Sequence, residues 1–248
     1  MNPTTTTRPD DAIQGAITRY WNDRASGYDQ FQASQLTNDQ IKAAWLAIWR
    51  DALPEAPLEV LDLGTGTGLV ATLLAELGHR VTATDLAEDM LDRARANGAA
   101  LPHPPTWRLG DAVAPDFPAA SFDAITCRFL LWTLREPDRA LANWRTLLRP
   151  GGTLAVVDGT HFPDGIHQAA ADDGASAEFR QRYDRDVVAA LPVAEARSIE
   201  ATVDLLRTDG FADLEVTPLR QIEALAREFG TAPNHTVRLH HLIRARTR

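Results

Sequence analysis

The sequence has little of what marks several large classes of protein. It contains one cysteine, Cys127, in 248 residues, which excludes an internal disulfide and fits a reducing compartment. No stretch reaches the ~18 consecutive apolar residues that a membrane span requires. Residues 1–11 are polar and threonine-rich, without the apolar core of a secretory signal. We therefore expect a cytoplasmic protein that has no membrane partner.

An excess of basic residues is also missing. The chain has 25 Lys and Arg against 34 Asp and Glu, a net charge of −9. Nucleic-acid binding needs a basic face that displaces counterions, so we expect no nucleic-acid partner and favour a small-molecule substrate. His167, His235, His240 and His241 show no metal-ligand spacing, and the last two alternate along a predicted strand. No metal is predicted.

What the sequence does contain is a glycine-rich turn, LEVLDLGTGTG, at residues 58–68. An apolar run precedes it and a helical pattern over 69–77 follows, which together predict a buried strand, a tight turn and a helix. Gly64, Gly66 and Gly68 allow positive φ and a close approach of ligand to backbone. The next helix offers unpaired N–H groups at its N-terminus. Such a loop is typical of a nucleotide-like ligand site.

Two nucleotide-binding motifs fit this turn poorly. A phosphate-binding P-loop ends in Gly-Lys-Ser/Thr, whereas Leu69 and Val70 follow here, and the dinucleotide fingerprint needs a glycine where Leu69 stands. The string DLGTGTG over 62–68 instead resembles the first motif of class I S-adenosylmethionine-dependent methyltransferases. In that family the loop faces the amino-acid end of the cofactor. The resemblance therefore implies that the cofactor is bound by Asp62, Gly64, Thr65, Gly66 and Gly68.

A second predicted strand, over 79–85, ends in a carboxylate. Asp85 lies about 20 residues past the glycines, where an acidic residue can bind both hydroxyls of a ribose. Dehydrogenases share this feature, so it indicates an adenosine-type site without selecting a reaction. Leu86 and Met90 are expected beside the adenine, although Met90 could equally belong to the buried face of a helix over 88–97.

The third predicted strand, over 106–109, leads to Asp111 and Ala112. The family has an acidic residue here that accepts a hydrogen bond from the adenine amino group, which implies cofactor contacts for both residues. The carboxyl end of a strand is also where open α/β sheets bind ligands. The alternative is that Asp111 is an ordinary turn or N-cap aspartate.

A fourth predicted strand, over 120–127, resembles the family's fourth motif, whose end backs the methionine part of the cofactor. This places Cys127 beside the cofactor, as a small buried side chain rather than a nucleophile. Arg128, Phe129 and Trp132 follow and become candidates for the acceptor pocket. Alternatively, the two aromatic residues are core and Arg128 pairs with a carboxylate.

An aromatic segment at 20–29 precedes the glycine turn. The family often has a lid here that folds over cofactor and substrate, which implies cofactor contacts for Tyr20 and Tyr28 and an acceptor contact for Trp21. A simple alternative is that Tyr20 and Trp21 form the apolar face of a helix.

The region after strand five, over 160–197, is longer than a simple connection, and we expect it to cap the acceptor. Phe179, Tyr183, Val187 and Leu191 recur every four residues, as in an amphipathic helix, and Tyr183 is a candidate acceptor contact. Asp158 and His161 follow the strand at the ligand-binding edge. Either could accept a proton, and His has the more suitable ordinary pKa. The alternative for His161 is a hydrogen-bonded loop histidine.

The string LLRPGGTL over 147–154 is close to the family's Leu-x-Pro-Gly-Gly signature, which completes four motifs in order. The resemblance, nearest to the methyltransferase type 11 and ubiquinone-biosynthesis-like group, implies a Rossmann-like, doubly wound α/β fold. Its seven-stranded sheet would be mostly parallel, with the last strand antiparallel and helices on both faces. We expect a helical lid segment over 1–53 and a cofactor-binding domain over 54–248.

The implied activity is methyl transfer from S-adenosylmethionine to an O, N or C atom of a small molecule, such as a specialised metabolite or an aromatic, quinone-like acceptor. The product would be S-adenosylhomocysteine, and the protein a monomer or homodimer. Two alternatives stay open: a non-catalytic S-adenosylmethionine-binding protein, and an NAD-dependent oxidoreductase. Leu69 and the Pro-Gly-Gly connection disfavour the oxidoreductase.

Overall fold

The computed structural model describes residues 10–168, 177–231 and 236–247. The first nine residues of the predicted lid segment, residues 169–176 of the predicted capping region and His235 lie outside the described residues. Within the described part, no helix combines the length and the apolar character that a bilayer span requires.

One seven-stranded sheet forms the centre of the fold, with strand order β3-β2-β1-β4-β5-β7-β6. Neighbouring strands from β3 to β5 run parallel, and β7 is antiparallel to both β5 and β6. Six strands are therefore parallel and the last is antiparallel, which confirms the predicted fold class. The strands are β1 (Glu59–Leu63), β2 (Arg80–Asp85), β3 (Thr106–Leu109), β4 (Phe122–Arg128), β5 (Leu148–Asp158), β6 (Ala212–Pro218) and β7 (His241–Arg246).

Helices connect these strands and cover both faces of the sheet. The longest, α1, has 28 residues and precedes the sheet. Asn38 ends it and caps the next helix, because its side chain accepts from the backbone N–H groups of Gln40 and Ile41 at 3.0 and 3.1 Å. The helices are α1 (Asp10–Thr37), α2 (Asp39–Ala52), α3 (Leu69–Glu76), α4 (Glu88–Gly98), α5 (Pro137–Leu147), α6 (Ala177–Arg182), α7 (Arg185–Ala189), α8 (Glu200–Thr208) and α9 (Arg220–Phe229), with a 3₁₀ turn at Leu131–Thr133.

The order of strands creates a switch point between β1 and β4. Chain connections leave the sheet in opposite directions there, so a crevice opens at the carboxyl ends of the two strands. Buried apolar clusters pack on both faces of the sheet and hold these ends in place, one including Trp144 of α5 and the other Trp49 of α2. The fold thus predicts a ligand site where the glycine turn begins.

Two predicted elements differ from the structure. The amphipathic helix expected through 179–191 is two short helices, α6 and α7, because Asp184 accepts from the N–H groups of Asp186 and Val187 and starts a new helix. Its four apolar positions are nevertheless all buried. The last strand, expected over 237–244, begins at His241, so His240 precedes the strand instead of alternating with His241 inside it.

Candidate functional site

A cleft of about 760 Å³ opens at the carboxyl ends of β1, β2 and β4, beneath α1. Its lining combines a glycine turn, two carboxylates and an apolar wall. The lining residues are Gln14, Ile17, Thr18, Trp21, Tyr28, Gly64, Gly66, Asp85, Leu86, Ala87, Met90, Gly110, Asp111, Ala112, Arg128, Phe129, Leu130, Thr133 and Leu134.

A second cavity, of about 290 Å³, adjoins the cleft on the other side of the glycine turn. The two share Tyr28, Gly64, Gly66 and Arg128, so they form one continuous groove. The remaining residues of the smaller cavity are Gln32, Asp62, Thr65, Thr67, Leu69 and Val70.

The glycine turn has the left-handed backbone that its composition predicts. Gly64, Gly66 and Gly68 have φ of 61°, 56° and 87°. A Cβ on Gly64 would lie 2.5 Å from the Leu130 side chain, so a larger residue would close the groove. Gly64 and Gly66 line the groove, but Gly68 does not: it precedes α3 and packs against Trp107, whose ring would be 2.8 Å from an added Cβ. The structure therefore gives Gly68 a packing role.

Asp85, at the end of β2, is fixed by two backbone N–H groups. Its Oδ2 accepts from Gly66 at 2.8 Å and its Oδ1 from Ala87 at 2.9 Å. Burial raises the pKa of this carboxyl above its ordinary value. A carboxylate oxygen can accept more than one hydrogen bond, and Asp85 lines the cleft, so a ligand hydroxyl there would find an acceptor. The residue thus joins the glycine turn to the start of α4.

Asp62, at the end of β1, is a buried carboxylate with an incomplete set of partners. Its Oδ1 accepts from the Thr126 hydroxyl at 2.7 Å, while its Oδ2 is buried without a hydrogen-bond partner in the described chain. Burial raises its pKa to about 6, against smaller opposing effects from the nearby Thr65 and Thr126 hydroxyls and then from the charge of Arg128. Three more buried oxygens of residues in the same cavity, Gln32 Oε1, Thr65 Oγ1 and Thr67 Oγ1, likewise have no hydrogen-bond partner in the described chain. This end of the groove therefore suits a ligand that is cationic and rich in N–H donors.

The next part of the cleft is lined mainly by apolar side chains. Met90 is 2% exposed, yet it lines the cleft with Leu86 and Ala112. It therefore belongs both to the buried face of α4 and to the wall of the cleft. Asp111 Oδ1 accepts from the N–H of Val113 at 2.8 Å, a turn interaction, and Asp111 also lines the cleft. This part has the shape and polarity for an adenine ring.

The aromatic segment of α1 divides between the cleft and the core. Trp21 and Tyr28 line the cleft, with ring centroids 6.0 Å apart. Tyr20, predicted as a cofactor contact, is buried instead against Phe179 and Tyr183, where desolvation raises its pKa to about 12. Successive helix residues point about 100° apart, so neighbours along the chain face different surroundings.

The segment after β4 places two of the predicted acceptor residues in the cleft. Arg128 and Phe129 line it, and Phe129 has a φ of 57°, which is strained for a bulky residue. Trp132 and Tyr183 do not line it. Their ring centroids lie 5.7 Å apart in a stacked pair, inside an aromatic cluster between α1, α6 and α7. The Tyr183 hydroxyl lies 3.2 Å from Oγ1 of Thr133, a residue of the cleft wall, so the cluster supports that wall from behind.

Cys127 precedes this pair and is fully buried in the core beneath the sheet. Desolvation raises the pKa of its thiol well above the ordinary value, and the charges of Asp158 and Asp62 act in the same direction. The side chain lines neither cavity. The structure therefore supports the buried-hydrophobe interpretation and leaves Cys127 out of the cofactor lining.

Asp158 and His161 form a hydrogen-bonded pair beside the cleft rather than in it. His161 Nε2 lies 2.7 Å from Asp158 Oδ1, which also accepts from the N–H of Gly159 at 2.8 Å. The imidazole stacks on Trp132, with centroids 5.1 Å apart, and meets the edge of Phe129 at 5.6 Å. Asp158 is 1% exposed, so its carboxylate is hydrogen-bonded to His161 but is not accessible from the cleft.

His240 was not singled out by its sequence context, yet it packs against Phe129 with centroids 4.5 Å apart. Burial lowers its pKa to about 3, with smaller contributions from His161 and Arg128 among others, so it stays neutral at physiological pH. Further residues that line the groove and that no sequence motif identified are Gln14, Ile17, Thr18, Gln32, Thr133 and Leu134. Those in α1 recur with Trp21 and Tyr28 at helical spacing, which is the signal that could have identified them. Within the described residues, no cluster of three or more metal-ligating side chains occurs.

A Rossmann-like sheet in this order, with a cleft built from a glycine turn and carboxylates at strand ends, defines the class as nucleotide-cofactor-binding α/β proteins. A methyltransferase domain family matches residues 61–156. The ubiquinone/menaquinone biosynthesis C-methyltransferase UbiE of Roseobacter denitrificans is 32% identical over 67% of this chain and 68% of its own length. The demethylmenaquinone methyltransferase of Renibacterium salmoninarum is 31% identical over 77% and 71%.

Solved structures agree in fold. Phosphoethanolamine N-methyltransferase 1 of Haemonchus contortus superposes with a TM-score of 0.67 at 17% identity, covering 97% of this chain and 50% of that one. An S-adenosylmethionine-dependent methyltransferase of Mesorhizobium loti superposes with a TM-score of 0.57 at 26% identity, covering 82% and 97%. The chain belongs to the class I S-adenosylmethionine-dependent methyltransferases. It is an enzyme that uses S-adenosylmethionine, and the oxidoreductase and non-catalytic alternatives are not favoured.

Proposed function

We propose that the enzyme transfers a methyl group to a carbon atom of a hydroxylated aromatic ring of the quinol type. The acceptor end of the cleft carries the proposal, because it is walled by Trp21, Phe129, Leu130 and Leu134 and suits a flat, apolar ring. The similarity to quinone-biosynthesis C-methyltransferases supports the same class of acceptor. The reaction would take place in the cytoplasm.

The proposed cofactor contacts follow from the chemistry of each part of the groove. Asp85 would bind the ribose hydroxyls, and Asp111 the adenine amino group, with Leu86, Met90 and Ala112 against the ring. Asp62 and Thr65 present unpartnered buried oxygens, which fit the ammonium group of the methionine part. Gly64 and Gly66 allow its close approach, and Tyr28 closes the groove from α1.

When bound, S-adenosylmethionine supplies a methyl group that is already activated by a positively charged sulfur. The protein's contribution is therefore mostly alignment of the acceptor and exclusion of water. Trp21 and Tyr28 of α1 cover the cleft and Phe129 forms its wall. We accordingly assign α1 as the lid, as the resemblance implied for the N-terminal segment.

His161 is proposed as the group that takes up a proton from the acceptor. Its Nε2 faces Asp158, which fixes the tautomer and leaves Nδ1 as the basic nitrogen. Because His161 does not line the cleft, the proton would travel past Phe129 through water. General-base catalysis of this kind contributes about 10²- to 10⁴-fold, so methyl transfer would slow without His161 but persist.

The proposed function is tested by cofactor binding followed by an acceptor screen. Calorimetric titration with S-adenosylmethionine and S-adenosylhomocysteine should show binding of both. The protein is then incubated with S-adenosylmethionine and 1,4-naphthohydroquinone, kept reduced, and the product is analysed by mass spectrometry and NMR. We expect a gain of one methyl group on a ring carbon.

A matched set of acceptors makes the screen decisive. Catechol tests O-methylation, and phosphoethanolamine tests N-methylation. Methylation of either at a rate above that of the naphthohydroquinone would contradict the proposed acceptor class while leaving the methyltransferase assignment intact.

A further inference from the structure

Arg128 lies where the two cavities meet. Among the described residues that line the cavities, it is the only one with a cationic side chain. Its Nη2 lies 3.3 Å from the Tyr28 hydroxyl, a long hydrogen bond to a neutral group. In the part of the chain that the structure describes, no carboxylate oxygen lies within 4 Å of its guanidinium. The charge therefore has no ion-pair partner of its own.

The aromatic neighbours of Arg128 restrict how it can bind a ligand. Its guanidinium carbon lies 4.7 Å from the ring centre of Phe129 and 5.5 Å from that of Trp45. Rings at these distances cover the faces of the guanidinium through cation–π interactions. The N–H groups on its edge remain as donors, and they point in the plane that suits an oxyanion.

The residue after Arg128 has a strained backbone conformation that holds its ring against the guanidinium. Phe129 has a φ of 57°, and its N–H donates to the Val157 carbonyl at 2.9 Å, which ties the strained residue to β5. Such strain persists where the surroundings over-determine a conformation, and it concentrates at functional sites. Here it places the Phe129 ring against the Arg128 guanidinium and in the wall of the cleft.

Asp62 is the carboxylate that could balance the positive charge of Arg128, but we have assigned it to the ammonium group of the cofactor. It is buried at the end of β1 and hydrogen-bonded to Thr126, and its free oxygen faces the methionine end of the groove. The amino-acid end of the cofactor carries a carboxylate as well as an ammonium group. Arg128 lines both cavities, and its guanidinium has five N–H donors, so it can serve the acceptor end of the larger cleft as well as the cofactor end. A cation held in a half-buried cleft is stabilised best by an anionic ligand.

We propose that Arg128 binds a negatively charged oxygen of the methyl acceptor, so that the enzyme methylates aromatic hydroxyl compounds as their oxyanions. This inference rests on the proposed function. The O–H bond of the hydroxyl breaks, its electron pair stays on oxygen and the proton goes to water. The charge spreads to the neighbouring ring carbon, which forms the new C–CH₃ bond as the S–CH₃ bond breaks. That carbon then loses its hydrogen as a proton, which passes through water to His161, and the ring becomes aromatic again.

The test measures ionisation of a bound phenol without turnover. The protein saturated with S-adenosylhomocysteine is mixed with 4-nitrophenol, whose phenolate absorbs at longer wavelength than the phenol, and the bound probe is titrated with acid and base. We expect its apparent pKa to lie at least about one pH unit below that of the free probe, as an opposite charge within ~4–6 Å produces. Arg128→Gln should abolish this difference, and Arg128→Lys should keep most of it.

Controls separate Arg128 from the other titratable groups around it, which are Tyr28 on α1, Asp62 on β1, His161 after β5 and His240 before β7. Arg50→Gln makes the same change at an exposed position of α2 and should leave the probe unaffected. His161→Gln should also keep the lowered pKa of the probe. Loss of the effect in His161→Gln with retention in Arg128→Gln would overturn the proposal.

Two further outcomes would overturn it. One is failure of the wild-type complex to bind 4-nitrophenol more tightly than 4-nitroanisole, its neutral analogue. The other is a loss of more than tenfold in S-adenosylhomocysteine affinity in Arg128→Gln with the ionisation of the probe unchanged, which would assign Arg128 to the cofactor carboxylate. Failure of the proposed function is distinguishable, because a lowered pKa of the probe without methylation of the naphthohydroquinone would contradict the acceptor and leave the oxyanion site in place.

Discussion

Asp62 gives the sharpest prediction, because its burial makes the cofactor-free protein less stable at neutral pH. An Asp whose pKa is raised by folding stabilises the native state below its unfolded pKa, and that stability is lost as pH rises through the folded pKa. For Asp62 this window runs from about 3.8 to about 6. We therefore expect Asp62→Asn to be more stable than wild type at pH 7.5 and to lose this advantage near pH 4.

The magnitude follows from the same pKa. The difference between about 6 and the ordinary 3.8, at about 1.4 kcal/mol per pH unit, corresponds to roughly 3 kcal/mol for a carboxylate that is 1% exposed. The asparagine oxygen can still accept from Thr126, but its amide N–H groups need new partners, which reduces the gain. A net stabilisation of about 1–3 kcal/mol at pH 7.5 is expected.

Urea unfolding of both proteins at pH 4, 5, 6 and 7.5 measures the effect. Asp123→Asn is the matched control with the opposite sign, because hydrogen bonds from Arg149 and the Glu59 N–H outweigh desolvation and lower the Asp123 pKa. It should destabilise the protein at neutral pH and lose this effect in acid. An Asp62→Asn protein that is less stable than wild type at every pH would refute the reasoning.

Cofactor binding should be linked to the same carboxylate. An ammonium group beside Asp62 favours the ionised form, so binding near pH 6 releases a proton and affinity rises as the pH increases towards neutrality. Calorimetric titrations with S-adenosylhomocysteine in two buffers of different ionisation enthalpy report the proton directly. Asp62→Asn should bind more weakly and release no proton; equal proton release in both proteins would move the ammonium group away from Asp62.

Three further predictions concern the rest of the groove. Asp85→Ala should weaken cofactor binding more than tenfold in calorimetry, because two ribose hydroxyls lose their acceptor; unchanged affinity would remove Asp85 from the site. His161→Gln should lower kcat by about 10²-fold or more at unchanged cofactor affinity, and wild-type rates would return it to a loop histidine. In urea unfolding, Phe129→Gly should be more stable than Phe129→Ala by about 1 kcal/mol, because the φ of 57° at this position suits glycine. The reverse order would mean that the backbone is not strained.

The central sheet could be predicted from the sequence because its signals are local. Apolar runs that end at glycine or aspartate fixed the ends of β1, β2 and β3, and the glycine turn fixed the start of α3. The break between α6 and α7 was missed although Asp184 is a typical N-cap residue, because the four-residue repeat of apolar positions continues across it. The four-residue repeat shows which side chains are buried, but it does not show whether the helix is continuous.

The cofactor end of the site was predictable for a related reason. Asp85 ends β2 and Asp111 follows the end of β3, and parallel strands bring their carboxyl ends to one edge, so chain position gives spatial position. Tyr20 and Trp21 show where this fails. Both are aromatic neighbours on one helix, and which of them faces the cleft depends on how α1 is rotated against α6 and α7, a long-range packing outcome that no local pattern contains.

The rotation of α1 also determines how the two halves of the groove are connected. One face of this helix supplies Gln14, Ile17, Thr18 and Trp21 to the larger cleft. Seven and eleven residues beyond Trp21, it supplies Tyr28 and Gln32 at the glycine turn. The rotation of the helix is fixed by an ion pair between Asp23 and Arg182 at 2.8 Å and by the Asn22 side chain, which accepts from the N–H of Asp89 at 3.0 Å. These long-range contacts therefore determine both which side chains line the acceptor end beside Trp21 and which lie at the glycine turn beside Gly66.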